Sequence, residues 1–334
     1  MLGRYSRAWL RLFVVVAMIM MLAGCSRDAL SPAPINPPGL DNWLYTSIGD
    51  FEASAEPLLG RADIAGVQVV VPWKILEPSK GRYDFSAIDR ALDSVTSRHK
   101  GLFLQIQDRF FTLPARLPNY LLADPEYAGG AAPAEGDNGL GAQPPGAVAA
   151  QWNPNVRQRF HKLLAALALR FDGKIAGVNL PETSTMINTA RDHTGFSCEA
   201  NFEATLDNMG YGKQVFIKSA FVQYINFWQC EWNNDHKYME RVFAFAKAHG
   251  VGVGGPDVLP NRPAQMQNAY PFFNRYKGQL AIVTMAVQEP DLQYVNPATG
   301  RVYTRSEFAA FASDYLGAKQ IFWATSAPWL GEDS

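Results

Sequence analysis

The chain has 334 residues, with 30 Lys and Arg against 31 Asp and Glu, a formal net charge of −1. That length is ample for one large buried core, and the even charge balance argues against a nucleic-acid partner, which would select a basic face. The apolar run Leu12–Gly24 falls short of the roughly 18 to 20 residues that a membrane-spanning helix needs.

Arg4, Arg7 and Arg11, then that apolar run, then Cys25 follow the order of a secretory signal. Leu22, Ala23, Gly24 and Cys25 resemble the lipobox of bacterial lipoproteins. The resemblance implies cleavage before Cys25, acylation of its thiol and attachment to a membrane through lipid. A plain signal peptide with a chance cysteine is the alternative. Ser26, where Asp would retain a lipoprotein at the inner membrane, implies passage to the outer membrane, facing the periplasm or the exterior. Residues 25–41, rich in Pro and polar side chains, suit a tether, so residues 1–24 read as signal, 25–41 as linker and 42–334 as the folded body. Cys198 and Cys230 are then an even pair in an oxidising compartment, where a disulfide is expected; two buried free thiols are the alternative.

Beyond Trp43, short apolar and β-branched runs alternate with helical segments. The runs are WLYTS (43–47), AGVQVVVPW (65–73), GLFLQIQ (101–107), IAGVNLPE (175–182), FVQYINFW (221–228), VGVGGPD (251–257), LAIVTMAVQE (280–289) and KQIFWATS (319–326). Runs apolar on both faces indicate buried parallel strands, and eight of them alternating with helices predict a single (β/α)8 barrel, an α/β fold. Helix starts are marked by Ser86 with Asp89 as a capping box, by Asn153 before Pro154, by Asp235, and by Thr304 with Glu307. Residues 112–152 and 183–211 read as long loops after strands three and four, where a barrel of this kind builds its active-site face. The chain ends too soon after strand eight for a full last helix.

The segment GVQVVVPWKILEPSKGRYDFSAIDRAL, residues 66–92, carries Trp73, Glu77, Pro78, Gly81, Tyr83, Asp84, Phe85 and Asp89 in order. It resembles the second strand and following loop of clan A glycoside hydrolases, especially family 42-like β-galactosidases and family 5-like relatives. The resemblance implies a barrel, a retaining mechanism, and catalytic glutamates ending strands four and seven. Those strand ends carry Glu182 and Glu289, so the resemblance makes Glu182 the general acid and base and Glu289 the nucleophile. The chemistry needs one carboxyl protonated and one ionised, about 5 to 5.5 Å apart across the scissile bond. One departure stands out: many such enzymes have Asn directly before the acid/base, whereas Pro181 stands there in this chain. Asn179 is a poor substitute, because strand alternation sends it to the other face.

Other residues at predicted strand ends are candidates for binding sugar: Asp108, Arg109, Gln229 and Asp257 through hydrogen bonds, and Trp73, Trp228 and Trp323 through their flat faces, with Trp323 preferred. Each of the tryptophans alone fits a core position, and each of the polar residues a loop-pinning role. Gly250, Gly252 and Gly255 match G-x-G-x-x-G but lead into Pro256 and Asp257 rather than a helix, so a dinucleotide site fails its context. The five histidines show no metal spacing. The sequence therefore reads as a retaining glycoside hydrolase on an extracytoplasmic poly- or oligosaccharide, without metal or cofactor. A barrel lipoprotein that binds glycan without cleaving it is the rival.

Overall fold

The computed structural model describes residues 37–112, 114–135 and 145–331. The signal segment, Cys25 and most of the linker lie outside the described residues. Eight parallel strands close into one barrel: β1 (Asp41–Ser47), β2 (Ile64–Pro72), β3 (Gly101–Gln107), β4 (Gly177–Leu180), β5 (Ala220–Tyr224), β6 (Gly252–Gly255), β7 (Val283–Val287) and β8 (Gln320–Ala324), with β8 paired to β1. All eight runs read from the sequence form these strands. Their outward residues, such as Val67, Val69 and Val71 on β2 and Leu102, Leu104 and Ile106 on β3, are buried under the surrounding helices.

Inside, the strands' period of two stacks side chains in layers. The lower layer is aromatic: Trp43, Phe103 and Phe322 meet edge to face with centroids 5.5 to 6.0 Å apart. Glycines on neighbouring strands make room for them. A Cβ on Gly66 would lie 2.3 Å from the Trp43 ring, and one on Gly177 would lie 2.3 Å from Phe103. The next layer is polar and largely buried. The Tyr224 hydroxyl donates to Gln68 Oε1 at 2.7 Å, Gln68 donates to Gln105, and Gln105 to Gln107 Oε1 at 3.2 Å. Above that layer the barrel opens at the C-terminal ends of its strands.

Helices α1 (Ser86–Thr96), α2 (Pro154–Phe171), α3 (Cys198–Val215), α4 (Tyr238–His249), α5 (Tyr270–Arg275) and α6 (Arg305–Ala310) cover the outside. Thr304 and Glu307 form the expected capping box on α6, and Asn153 caps α2 through the Asn155 amide. Two caps differ from expectation. On α1 the amide of Ser86 is taken by Asp84 at 3.0 Å, while Asp89 pairs with Arg170. On α4 the first amides, of Tyr238 and Met239, are taken by Glu231 rather than Asp235. After β8 the described chain carries one 3-10 turn, Pro328–Leu330.

Both long loops hold more structure than expected. After β3 the chain forms a three-stranded antiparallel sheet from Arg109–Thr112, Ala131–Pro133 and Pro145–Ala149. Much of the second loop is α3 itself, which begins at Cys198. Cys198 and Cys230 form a disulfide with Cα atoms 6.0 Å apart, tying the start of α3 to the loop after β5.

Candidate active site

Glu182 follows β4 by two residues, and its backbone is held on both sides and at its own carbonyl. Gln223 Nε2 donates to the carbonyl of Pro181 at 2.6 Å, Arg109 donates to the carbonyl of Glu182, and the amide of Asn226 donates to Thr183 Oγ1 at 3.1 Å. Arg109 is itself anchored, its Nε to Asp108 Oδ1 at 3.1 Å, and Asp108 accepts from Gln151 at 2.9 Å. The turn at Pro181 is therefore fixed by side chains of β5 and of the loop after β3.

The Glu182 carboxyl then meets Asn226, whose Nδ2 donates to Glu182 Oε2 at 2.9 Å and to Asp257 Oδ2 at 3.3 Å. One amide group thus holds two carboxyls together at the barrel mouth. Burial, reinforced by the charge of Asp257, pushes Glu182 up to about 7 against the pull of Asn226 and Arg109. Burial likewise pushes Asp257 up to about 6, opposed by Arg262 and Asn226. Asp291, which accepts from the amide of Gln288 at 2.8 Å, is driven well above the usual carboxylate range by its burial and by Asp257. Tyr45 on β1 stands among these groups: after burial, the charges of Glu289, Asp257, Glu182 and Asp291 all raise its hydroxyl's affinity for its proton.

Glu289 lies two residues past β7, exposed to solvent, close enough to Tyr45 to act on its hydroxyl. Glu182 and Glu289 thus share one rim, with Glu182 held firmly and Glu289 open.

Several candidates from the sequence have other roles. Trp73 is fully buried: its indole donates to Glu77 at 3.0 Å and its ring packs on Phe160, so it cannot stack on a sugar. Trp323 is fully buried too, because Phe322 takes the inward position on β8 and alternation turns Trp323 out against Trp329 and Asn42. Trp228 borders the site, but its ring is wedged between Phe202 and Tyr238 and 4% exposed. Asp108 is 1% exposed and committed to Arg109 and Gln151, and Arg109 to backbone carbonyls. Gln229 clamps the loop after β4, accepting from Thr185 and Ile187 and donating to the carbonyl of Ile187. Asp257 alone of this group joins the carboxylate cluster. Asn226, Tyr45 and Asp291 were not anticipated, although Asn226 continues the inward series Val222 and Tyr224 of β5.

Two depressions flank this centre. One, of about 800 Å³, lies over the loops after β4, β5 and β6 and includes Ser184, Phe227, Trp232 and Arg262. The other, of about 260 Å³, lies at the ends of β1 to β3 and includes Tyr45, Gln107 and Arg116.

Comparison with solved structures follows the barrel closely in extent and weakly in sequence. GH10 from Paenibacillus barcinonensis matches at a TM-score of 0.50 and 13% identity, covering 86% of this chain and 84% of that one. A family 39 glycoside hydrolase from Bacteroides cellulosilyticus matches at 0.50 and 11%, covering 87% and 56%. A cold-adapted β-galactosidase from a Rahnella species matches at 0.51 and 13%, covering 86% and 51%. The likeness is one of fold. No family model matches the chain, and no curated protein matches it in sequence.

Proposed function

We propose that this chain is a retaining glycoside hydrolase, with Glu182 as general acid and then base and Glu289 as nucleophile. The observation that carries the reading is Glu182, a rim carboxyl pushed up to about 7 and fixed beside a second carboxyl by a shared amide. A group poised there holds a proton near neutrality, as a donor to a glycosidic oxygen must. Glu289 would attack the anomeric carbon as Glu182 protonates the leaving oxygen; Glu182 would then take a proton from the water that opens the glycosyl-enzyme. The 66–92 motif supports a family 42-like or family 5-like relationship within this fold. The names of the neighbours, glycoside hydrolases and a β-galactosidase, support a carbohydrate substrate. The signal and Cys25 support a lipid-anchored place in the bacterial envelope.

The test is a glycan panel on the soluble domain, followed by Glu182→Gln and by Glu289→Ala with azide. Loss of turnover in the first, and its return as a glycosyl azide in the second, are expected; full activity in both variants would remove the assignment. The open, unheld position of Glu289 favours a second reading, a barrel that binds glycan without cleaving it. Binding without turnover in the wild-type protein would select it.

A further inference from the structure

The larger depression is lined by Ser184 and Ile187 of the loop after β4 and by Arg262 of the loop after β6, and the loop after β5 forms one wall. On that wall the rings of Phe227 and Trp232 lie parallel within 3°, centroids 6.3 Å apart, and Trp232 is 51% exposed. Stacked beside Phe227, the indole still leaves about half of its surface open to a ligand.

Its loop is nevertheless held. The Trp232 amide donates to Asp235 Oδ1 at 3.1 Å, the Asn233 amide to Asn268 Oδ1 at 2.8 Å, and Cys230, two residues earlier, is bonded to Cys198. An aromatic face presented at a fixed place costs little ordering on binding, and the C–H faces of a pyranose ring fit such a face.

Charge narrows the occupant. Among the described residues that line the cleft, Glu135, Glu231 and Asp235 are acidic and Arg262 is basic; Glu231 caps α4 and Asp235 bonds His236, and the lining stays acidic on balance. A polyuronate would bring its own carboxylates into an acidic surround, whereas a neutral chain would not meet that repulsion.

We propose that this cleft is a distal subsite for a neutral glycan chain, with Trp232, backed by Phe227, as the platform for a sugar several units from the bond beside Glu182. The inference rests on the hydrolase reading only for the direction of the chain; the binding itself does not need cleavage.

The test uses Glu182→Gln protein, so that ligand persists, in affinity electrophoresis and calorimetry with arabinoxylan, galactomannan and mixed-linkage glucan, and with polygalacturonate as the anionic probe. At least one neutral polymer should bind, with quenching of tryptophan fluorescence. Trp232→Ala should weaken that binding by about tenfold or more, and Trp232→Phe should restore most of it, which separates a lost platform from a misfolded loop. Preference for polygalacturonate, binding unchanged in Trp232→Ala, or no binding to any neutral polymer would each overturn the proposal. If wild-type protein turns over short glycosides while no polymer binds, the subsite fails and the hydrolase reading survives; binding with no turnover has the reverse meaning.

Discussion

Asp257→Asn offers a direct measure of how the site holds its proton. Asn226 Nδ2 is 2.9 Å from an oxygen of Glu182 and 3.3 Å from one of Asp257, and two N–H bonds diverging at a trigonal nitrogen set those oxygens about 5 Å apart. At an effective dielectric of about 20, two unit charges at that spacing repel by about 3 kcal/mol, or about 2 pK units at full ionisation. Asp257, raised to about 6, is mostly ionised where Glu182 titrates near 7, so most of that repulsion is felt and the expected effect is about 2 units. With Asn in place of Asp257, Glu182 should lose its proton at lower pH than the wild-type value of about 7. A general acid works while protonated, so the basic limb of the kcat/KM profile should move to lower pH by that amount. A 13C-NMR titration of labelled glutamate reads the same shift without turnover. A limb and a titration that stay where they are, or move to higher pH, would refute the electrostatic account of this cluster.

The same three carboxyls make a stability prediction. Glu182, Asp257 and Asp291 all have folded pKa values raised above their unfolded ones, so the stability they contribute is fully present near pH 4 and lost as pH rises through their folded values. Melting temperature should fall between about pH 4 and 7, less so in Asp257→Asn; calorimetry across pH checks it, and a rise over that window would contradict it. Glu77 is fully buried, accepting from Trp73, Gly81 and Tyr120 and paired with Arg159. Glu77→Ala should cost about 3 to 5 kcal/mol by leaving that guanidinium unpaired, a fall in Tm on the order of 10 °C; a change within about 2 °C would show the pair to be dispensable. Replacing Cys198 and Cys230 by Ser should lower stability by about 3 to 4 kcal/mol, and thiol labelling of the unfolded, unreduced wild type should find neither cysteine free. Gly66→Ala would set a Cβ 2.3 Å from the Trp43 ring and should destabilise the protein by about 1 to 3 kcal/mol or more in denaturant melts.

The barrel was legible because its strands are buried on both faces, which leaves eight short apolar runs that little else would explain. Glu182 was legible because a carboxylate directly after such a run must emerge at the rim. The tryptophans misled because closeness to the rim along the chain says nothing about which side of the wall a ring occupies. Alternation did contain the answer at β8: with Phe322 in the aromatic floor, Trp323 has to point out, toward Phe308 and Trp329. The hidden helix α3 had a different cause. Its buried face is broken by Asn201, Asn208 and Gly212, and Gly212 serves packing rather than a turn, since a Cβ there would sit 1.9 Å from the Phe221 ring.

What no local pattern carries is the fixing of Glu182. Pro181, which looked like a departure that weakened the site, contributes a carbonyl to Gln223 of β5. The residue before the acid thus has an architectural part, and the amide that touches Glu182 comes from Asn226, at the end of a different strand. The resemblance puts an Asn next to this glutamate in sequence, whereas here Asn226 stands beside Glu182 in space. The carboxyl that shares this amide is Asp257, from the end of the following strand. Three consecutive strand ends therefore meet at one NH2 group, and that contact depends on register between β4, β5 and β6, which only the closed barrel sets. Asn226→Ala should raise the pH at which Glu182 loses its proton, because the amide favours the charged carboxylate; a 13C-NMR titration that left Glu182 where it is would show that this meeting point does not hold the carboxyl.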